Sequence, residues 1–325
     1  MANLVVAVLG APGYSGSLGK KGTSTDVALY NLKKDEDTVT FIEPTKYPER
    51  LAPLFFSVSM AKKAVLLVNE INATFGECVV MLQSSQIKDG YIVLRNFLTK
   101  EKVEPLIKDT VLEKFEFIED NPAVLRERLL NDVARQRLDP SFHKESAGPG
   151  TVPVDHSFNV KGVGTVVLGV VAKGVIRKHD SLRVLPGEKI AQILSIQKHD
   201  DEFDQAFKGD RVGLALKSVE VDDLERGVVL TNDDTIKKTN SITGEVQVVK
   251  YWQAPLKSGM VVHLGHWMQF IPARVESVNL GVDSLKPVLT LNLEKELVHL
   301  PGDFGVITNL EGGKLRVVGT IELRN

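Results

Sequence analysis

The residues TVPVDHSFNVKGVGTVVLGVVAKGVIRKHDSLRVLPG (151–187) and KIAQILSIQKHDDEFDQAFKGDRVGLALKSVEVDDLERGVVL (189–230) decide the fold. Val152, Val154, Phe158 and Val160 alternate loosely with polar residues, and Thr165–Val171 is a β-branched run broken only by Leu168 and Gly169. Gly162, Gly164, Gly169 and Gly174 stand where a barrel strand turns a corner or lets another backbone approach. Lys178-His179-Asp180, Pro186-Gly187 and Lys208-Gly209-Asp210 read as turns between short, closely spaced strands. The stretch predicts a small β-barrel.

Outward from it, the chain divides in three. Residues 1–138 alternate strand and helix, with strands at 4–10, 38–44, 64–69, 91–96 and 115–119. Helices are expected at 25–32, from Pro48 towards Met60, and at 74–84, 101–113 and 122–133, the fourth capped near Thr99. Five strands joined by helices predict a parallel, doubly wound α/β sheet, whose ligands sit at the carboxyl ends of the strands. Residues 139–150 read as a linker, residues 150–232 hold the barrel, and the polar run NDDTIKKTNS (232–241) reads as a second linker. Residues 242–325 predict another all-β barrel.

Bulk properties narrow the function classes. The 325 residues are 43% hydrophobic and 25% charged, enough to bury ordinary cores. The formal net charge is −2, so a nucleic-acid partner needs a local basic patch. Cys78, the one cysteine, sits in the apolar run CVVML and reads as a small buried hydrophobe. No Cys/His spacing suits zinc, and no metal site is expected. No targeting segment is visible, and no apolar run approaches the roughly 20 residues that span a bilayer. The expected setting is cytoplasmic.

The spacing VDHSF, KGVGTVV, G-x-(I/V)-(R/K)-x-x-D-x-L, SIQKHD, A-x-x-GDRVGLALK and D-(I/L)-x-RGVVL resembles the second domain of translational GTPases. Within them it is most similar to selenocysteine-specific elongation factors of the SelB type. The second barrel is similar to their third domain around PLKSG (255–259), PARV (272–275) and LPGDF (300–304). The resemblance implies a GTPase-like α/β domain followed by two barrels of the elongation factor Tu type. It also implies an aminoacylated tRNA end as ligand, and ribosome or translation-factor contacts. DNA and membrane partners are not expected. Selenocysteine factors usually carry a further domain beyond this point, so a role in reading the messenger is not expected here.

The nucleotide motifs of that family are then tested residue by residue. A P-loop, G-x-x-x-x-G-K-(S/T), wraps phosphate with backbone N–H groups, reaches it with Lys and holds Mg²⁺ with the hydroxyl. Here the loop reads GAPGYSGSLGKKG (10–22). Gly10 is in place, but Gly16 comes one residue late and is followed by Ser17. In the frame Gly13 to Gly19-Lys20 there is one residue too many, and Lys21 replaces the hydroxyl residue. The D-x-P-G-(H/Q) place reads Glu43-Pro44-Thr45-Lys46-Tyr47 and the N-K-x-D place reads Arg95-Asn96-Phe97-Leu98. Only 32 residues separate Gly10 from Glu43, and one helix with its loops nearly fills them, so the first switch loop is expected to be deleted. The expectation is a degenerate nucleotide-binding domain with no cofactor and no GTP hydrolysis. Gly10, Gly13, Gly16, Gly19 and Lys20 are the remnant of the loop. The alternative is a remodelled loop that holds GTP or GDP with Mg²⁺ through Lys20 and Thr23.

Asp155, His156 and Arg211 match the residues that form the selenocysteyl pocket in the resembled factors. Two cationic side chains suit an anionic selenolate, and a carboxylate orients them. The competing reading is an Asp155–Arg211 salt bridge that pins two strands. On the pocket reading, Arg211→Ala and His156→Ala weaken aminoacyl-RNA binding and leave the fold intact. Lys161, Lys173, Arg177 and Lys178 are candidate phosphate contacts, although solvated surface charge is the commoner role for each. His263, His266 and Trp267 read as a core Trp with edge histidines. A third possibility for the whole chain is a protein-interaction module of the translation machinery.

Overall fold

The computed structural model describes residues 2–138, 147–280 and 285–324. Most of the linker expected at 139–150 lies outside them. The first domain contains β1 (Ala2–Leu9), β2 (Lys20–Ser24), β3 (Val27–Lys34), β4 (Asp37–Pro44) and α1 (Ala52–Ser59). It continues with β5 (Lys63–Val68), α2 (Ala73–Ser84), β6 (Gly90–Leu94), α3 (Lys100–Ile107), β7 (Glu116–Ile118) and α4 (Pro122–Leu138). The seven strands lie in the order β2-β3-β4-β1-β5-β6-β7. From β4 to β7 the neighbours are parallel, whereas β2 and β3 run antiparallel at one edge.

The helix expected at 25–32 is therefore a hairpin. Val27 and Leu29 face the core beneath α1 and α2, while Ala28 and Tyr30 face the core beneath α4. A strand covered on both faces loses its polar alternation and reads as a continuous apolar run, which sequence alone does not separate from a helix. The sheet consequently has seven strands rather than five. α3 also ends six residues earlier than expected, and a short 3₁₀ turn follows at Val111–Lys114.

The second domain contains β8 (Thr151–Val160), β9 (Gly164–Val170), β10 (Val175–Arg177), β11 (Ser181–Leu185) and β12 (Ile190–Lys198). It ends with β13 (Asp201–Phe203), β14 (Gln205–Phe207), β15 (Arg211–Lys217) and β16 (Val229–Thr231). The order β11-β16-β8-β9-β15-β12, with β12 pairing back to β11, closes a six-stranded barrel. The third domain contains β17 (Lys237–Val248), β18 (Val261–His266), β19 (Gln269–Asn279), β20 (Val288–His299), β21 (Asp303–Thr308) and β22 (Val317–Leu323). They close in the order β17-β20-β19-β18-β21-β22. β17 begins inside the expected second linker. Its polar residues Lys237–Ser241 form the solvent-facing start of a barrel strand and pair with β20.

The three domains share buried surface. Val170, Met268, Val306 and Val317 from the barrels belong to the same core as α1 and α2. A Cβ on Gly265 would stand 2.6 Å from the Phe55 ring, so only glycine lets β18 lie this close to α1. The guanidinium of Arg316 donates to both carboxylate oxygens of the buried Glu77, at 3.0 and 2.6 Å, and the Arg316 amide donates at 2.9 Å. This ties α2 to the third domain.

Candidate functional site

Three places carry the residues singled out from sequence: the loop after β1, the Asp155 cluster, and a cleft between the first two domains.

Gly10 leaves β1 with φ +90, and a Cβ there would stand 2.0 Å from the Leu67 carbonyl oxygen. Gly13 is also left-handed, and a 3₁₀ turn at Tyr14–Ser17 takes the place of a helix. These turns aim backbone amides inward, and a carboxylate meets them. Glu43, at the end of β4, is buried and accepts from the Gly13 amide and, at 3.0 Å, from the Ser15 amide. The Ser15 hydroxyl is buried and has no hydrogen-bond partner among the described residues. Lys20 lies on β2 and, with Gly16 and Gly19, lines the interdomain cleft.

The other loops at this sheet edge bond to one another. Tyr14 Oη donates to Asp120 at 3.0 Å, Arg95 Nε donates to Asp120 at 2.8 Å, and Asn96 Nδ2 donates to the Asn69 carbonyl at 3.2 Å. Asn96 and Phe97 both have positive φ and form the centre of a tight turn closed by Leu98 N–H to Arg95 C=O. The expected guanine-reading position is this turn, with Phe97 fully exposed.

The structure brings Asp155, His156 and Arg211 together. A β-bulge between Val154 and His156 re-aims Asp155 into the barrel wall. Arg211, at the start of β15, holds the Asp155 carboxylate with both terminal nitrogens, and His156 Nδ1 lies 2.5 Å from Asp155 Oδ1. Burial works against the Asp155 anion, but the Arg211 charge and the hydrogen bonds from His156 and Arg211 leave its pKa below the usual carboxylate range.

The cluster is also covered. Thr25 Oγ1, at the β2–β3 turn, lies 3.1 Å from His156 Nε2. Arg226 binds Asp26 through two nitrogens at 2.7 and 2.8 Å, donates to the Asp155 carbonyl at 3.2 Å and stands 4.7 Å from the Phe56 ring centre. Thr25, Asp26 and Arg226 were not read from sequence. Arg226 and Asp26 are 200 residues apart, and no local pattern signals the pair.

The cleft lies between β2, β3, α4 and the second domain, with a volume of about 720 Å³. Lys20, Lys21, Lys33, Arg126, Arg211 and His199 line it, against a single acid, Asp200. Arg211 is the one member of the Asp155 cluster on its wall. The other basic candidates are dispersed: Lys173 pairs with Asp233 at 2.6 Å and Lys178 with Glu202 at 2.9 Å. In the third domain His263 stacks on Phe270, and His266 packs at a tilt against Trp267; His266 is the buried member and Trp267 the half-buried one, the reverse of the expected core Trp with edge histidines. Among the described residues no group of three or more His, Cys, Asp or Glu side chains could hold a metal ion. No described helix is long and apolar enough to cross a membrane.

His199 makes the joint between these domains pH-sensitive. Its Nε2 lies 3.2 Å from Asn3 Oδ1. Burial, helped by the nearby Arg211 and Lys33 charges, lowers its pKa to about 4 against the opposing effect of Asp200 and Asp201. The unfolded value is about 6.5. A depressed histidine pKa contributes stability that is complete above the unfolded value and is lost as pH falls towards the folded one. His199 should therefore remove up to about 3 kcal/mol between pH 6.5 and 4. His199→Gln should flatten that part of the profile in urea unfolding. Equal acid slopes for both proteins would refute the assignment.

Comparison with known proteins agrees with the architecture. The family model for elongation factor Tu domain 2 matches residues 164–231. An uncharacterized protein of Methanocaldococcus jannaschii is 34% identical over 99% of this chain and 100% of its own length. The selenocysteine-specific elongation factor of the same organism is 35% identical over 144 residues, 42% of this chain and 30% of that factor. Elongation factor 1-alpha of Methanosarcina acetivorans is 30% identical over 42% of this chain and 33% of its own length. These two sequence matches each span about a third of the named factor's length. The crystal structure of elongation factor SelB from Methanococcus maripaludis, in complex with a GTP analogue, superposes with a TM-score of 0.83 at 20% identity. That match covers 100% of this chain and 79% of the other. A sheet domain and two closed barrels in this order, joined to these sequence matches, place the chain in the translational GTPase family as a SelB-like member.

Proposed function

We propose that this elongation-factor-like protein binds the aminoacylated end of a tRNA, or another RNA end, and does so without binding or hydrolysing GTP. The observation that carries the nucleotide half is Glu43. In a P-loop the backbone amides converge on phosphate. Here two amides of that loop converge on an internal carboxylate, which repels a phosphate and holds its donors. Three features support the same reading. No helix N-terminus follows the loop to add its dipole. Lys20 faces the interdomain cleft. Tyr14, Arg95, Asn69, Asn96 and Asp120 bond to one another along the edge where a base would lie.

The RNA half is supported by family membership and by the basic cleft beside Arg211. The closed Asp155–His156–Arg211 cluster supports a structural role for the triad's charges, with the ligand seated beside it in the cleft. Calorimetric titration of GTP and of GDP, each with Mg²⁺, into the purified protein tests the first half. No heat is expected at high micromolar nucleotide. Saturable binding would overturn the GTP-independent reading. Titration with aminoacyl-tRNA tests the second half.

A further inference from the structure

The cleft is built chiefly by the loop after β1 and the strand β2 that follows it. Gly16–Thr23 forms one wall, the exposed face of α4 contributes Arg126, and the second domain supplies the opposite side. Of its cations, Lys33 is paired with Asp201 and Arg211 with Asp155. Lys20, Lys21 and Arg126 are exposed and have no carboxylate partner among the described residues. Three unpaired cations converging on a cleft that holds one acid make a site for phosphate.

We propose that this cleft binds the phosphodiester backbone of single-stranded RNA, and that the phosphate contacts come from the first domain rather than from the barrels. This rests on the RNA reading above and assigns which domain carries it. The volume falls in the range of about 300–1,000 Å³ that suits small ligands and short strands. It cannot admit an A-form duplex, which offers a broad convex surface. The lining contains no Phe, Tyr or Trp side chain, so affinity comes chiefly from charge rather than from base stacking. Asn31 and Gln197 offer amides, and His199, kept neutral by burial, offers an imidazole nitrogen. These groups suit ribose hydroxyls and base edges, so RNA is bound in preference to a bare polyanion. A domain that no longer needs its loop for nucleotide would thereby take part in holding the RNA.

The test is fluorescence anisotropy with a labelled mixed-sequence single-stranded RNA of about 12 nucleotides and with deacylated tRNA, at salt from about 50 to 300 mM. The triple variant Lys20→Ala/Lys21→Ala/Arg126→Ala should bind at least tenfold more weakly than the wild type at the lowest salt. Its log–log salt slope should be shallower by about 2, at roughly 0.7 for each lost single-strand phosphate contact. The three side chains are exposed, and circular dichroism checks that the variant folds. Lys250→Ala/Lys257→Ala/Lys314→Ala removes the same charge from the third domain and should stay within twofold of the wild type. Wild-type binding with a triple variant equally tight would overturn the cleft and leave the RNA reading standing. Absence of wild-type binding to both RNAs would overturn the cleft, and absence of binding to aminoacyl-tRNA as well would overturn the RNA reading. Adenosine monophosphate bound through the same three residues, with no RNA binding, would assign the cleft to a small nucleotide and overturn the proposal. A duplex of the same sequence bound as tightly as the single strand would overturn it as well.

Discussion

Replacing Arg211 with alanine is expected to lower the unfolding free energy by about 3–5 kcal/mol, the scale for leaving one member of a buried ion pair unpartnered. Asp155 is only 8% exposed and takes both terminal nitrogens of the guanidinium. Without Arg211 its remaining side-chain partner is His156. The sequence pattern alone left two readings open, a pocket whose loss weakens RNA binding on an intact fold and a salt bridge that pins two strands. The structure makes the pair a fastener between β8 and β15, with Thr25 from the first domain laid over His156. The pH dependence distinguishes the two roles. The wild-type Asp155 pKa is below the carboxylate range, so its contribution is complete above the unfolded value of about 3.9 and fades as pH falls through the lower folded value. In the variant, burial is no longer outweighed, and the carboxyl relieves the penalty by taking a proton. The gap between wild type and variant should therefore be smaller near pH 4 than at pH 7 in urea unfolding. Asp155→Ala/Arg211→Ala should lose about 2 kcal/mol less than the sum of its single variants, because the unpaired charge is gone. A loss below about 1 kcal/mol for Arg211→Ala would place the guanidinium in the cleft instead and restore the pocket reading.

Much of the fold was legible because the barrels advertise themselves locally. Glycines at bends, β-branched runs such as Thr165–Val171 and short turn signals all act within a few residues. The parallel strands were legible for the same reason, since Leu4–Leu9 of β1 and Ala64–Val68 of β5 are unbroken apolar runs. The hairpin at Lys20–Lys34 was not, because both faces of β3 are covered and its four buried residues in a row fit either period. The polar start of β17 was misread for the converse reason, with one face of the strand open to solvent. The site residues divide in the same way. Asp155, His156 and Arg211 were found by motif spacing, and the structure does bring them together. What covers them was hidden, because Thr25 and Arg226 reach the cluster across 131 and 71 residues of chain. Glu43 was noted only as a departure from a motif. Its partners, Gly13 and Ser15, lie about thirty residues away on another loop, and no periodicity relates them.

Glu43 yields the second large effect. Glu43→Ala should destabilise the protein by about 2–4 kcal/mol, since the Gly13 and Ser15 amides lose a charged acceptor in a buried setting. The same variant should gain what the wild type lacks, an affinity for small anions. The loop keeps the positive φ at Gly10 and Gly13 that turns its amides inward, and the Ser15 hydroxyl is already without a partner among the described residues. With the carboxylate gone, phosphate can satisfy these donors, and a ligand that binds only the folded state raises its stability by RT ln(1 + [L]/Kd). At about fifty times Kd that returns roughly 2 kcal/mol, most of what the substitution removed. Phosphate or pyrophosphate at about 10–50 mM should thus raise the melting temperature of Glu43→Ala well beyond the effect of sodium chloride at equal ionic strength. Wild type should show no such difference. Glu43→Gln should also lack the phosphate-specific rise, because its side chain still fills the loop, but it should be less stable than wild type, since one amide oxygen accepts from only one of Gly13 and Ser15 and its NH2 faces the other. If phosphate stabilises all three proteins equally, the loop is not an anion nest and Glu43 is an ordinary buried carboxylate. If it rescues Glu43→Ala alone, the family's phosphate-binding geometry survives here intact, held closed by one side chain of the protein's own.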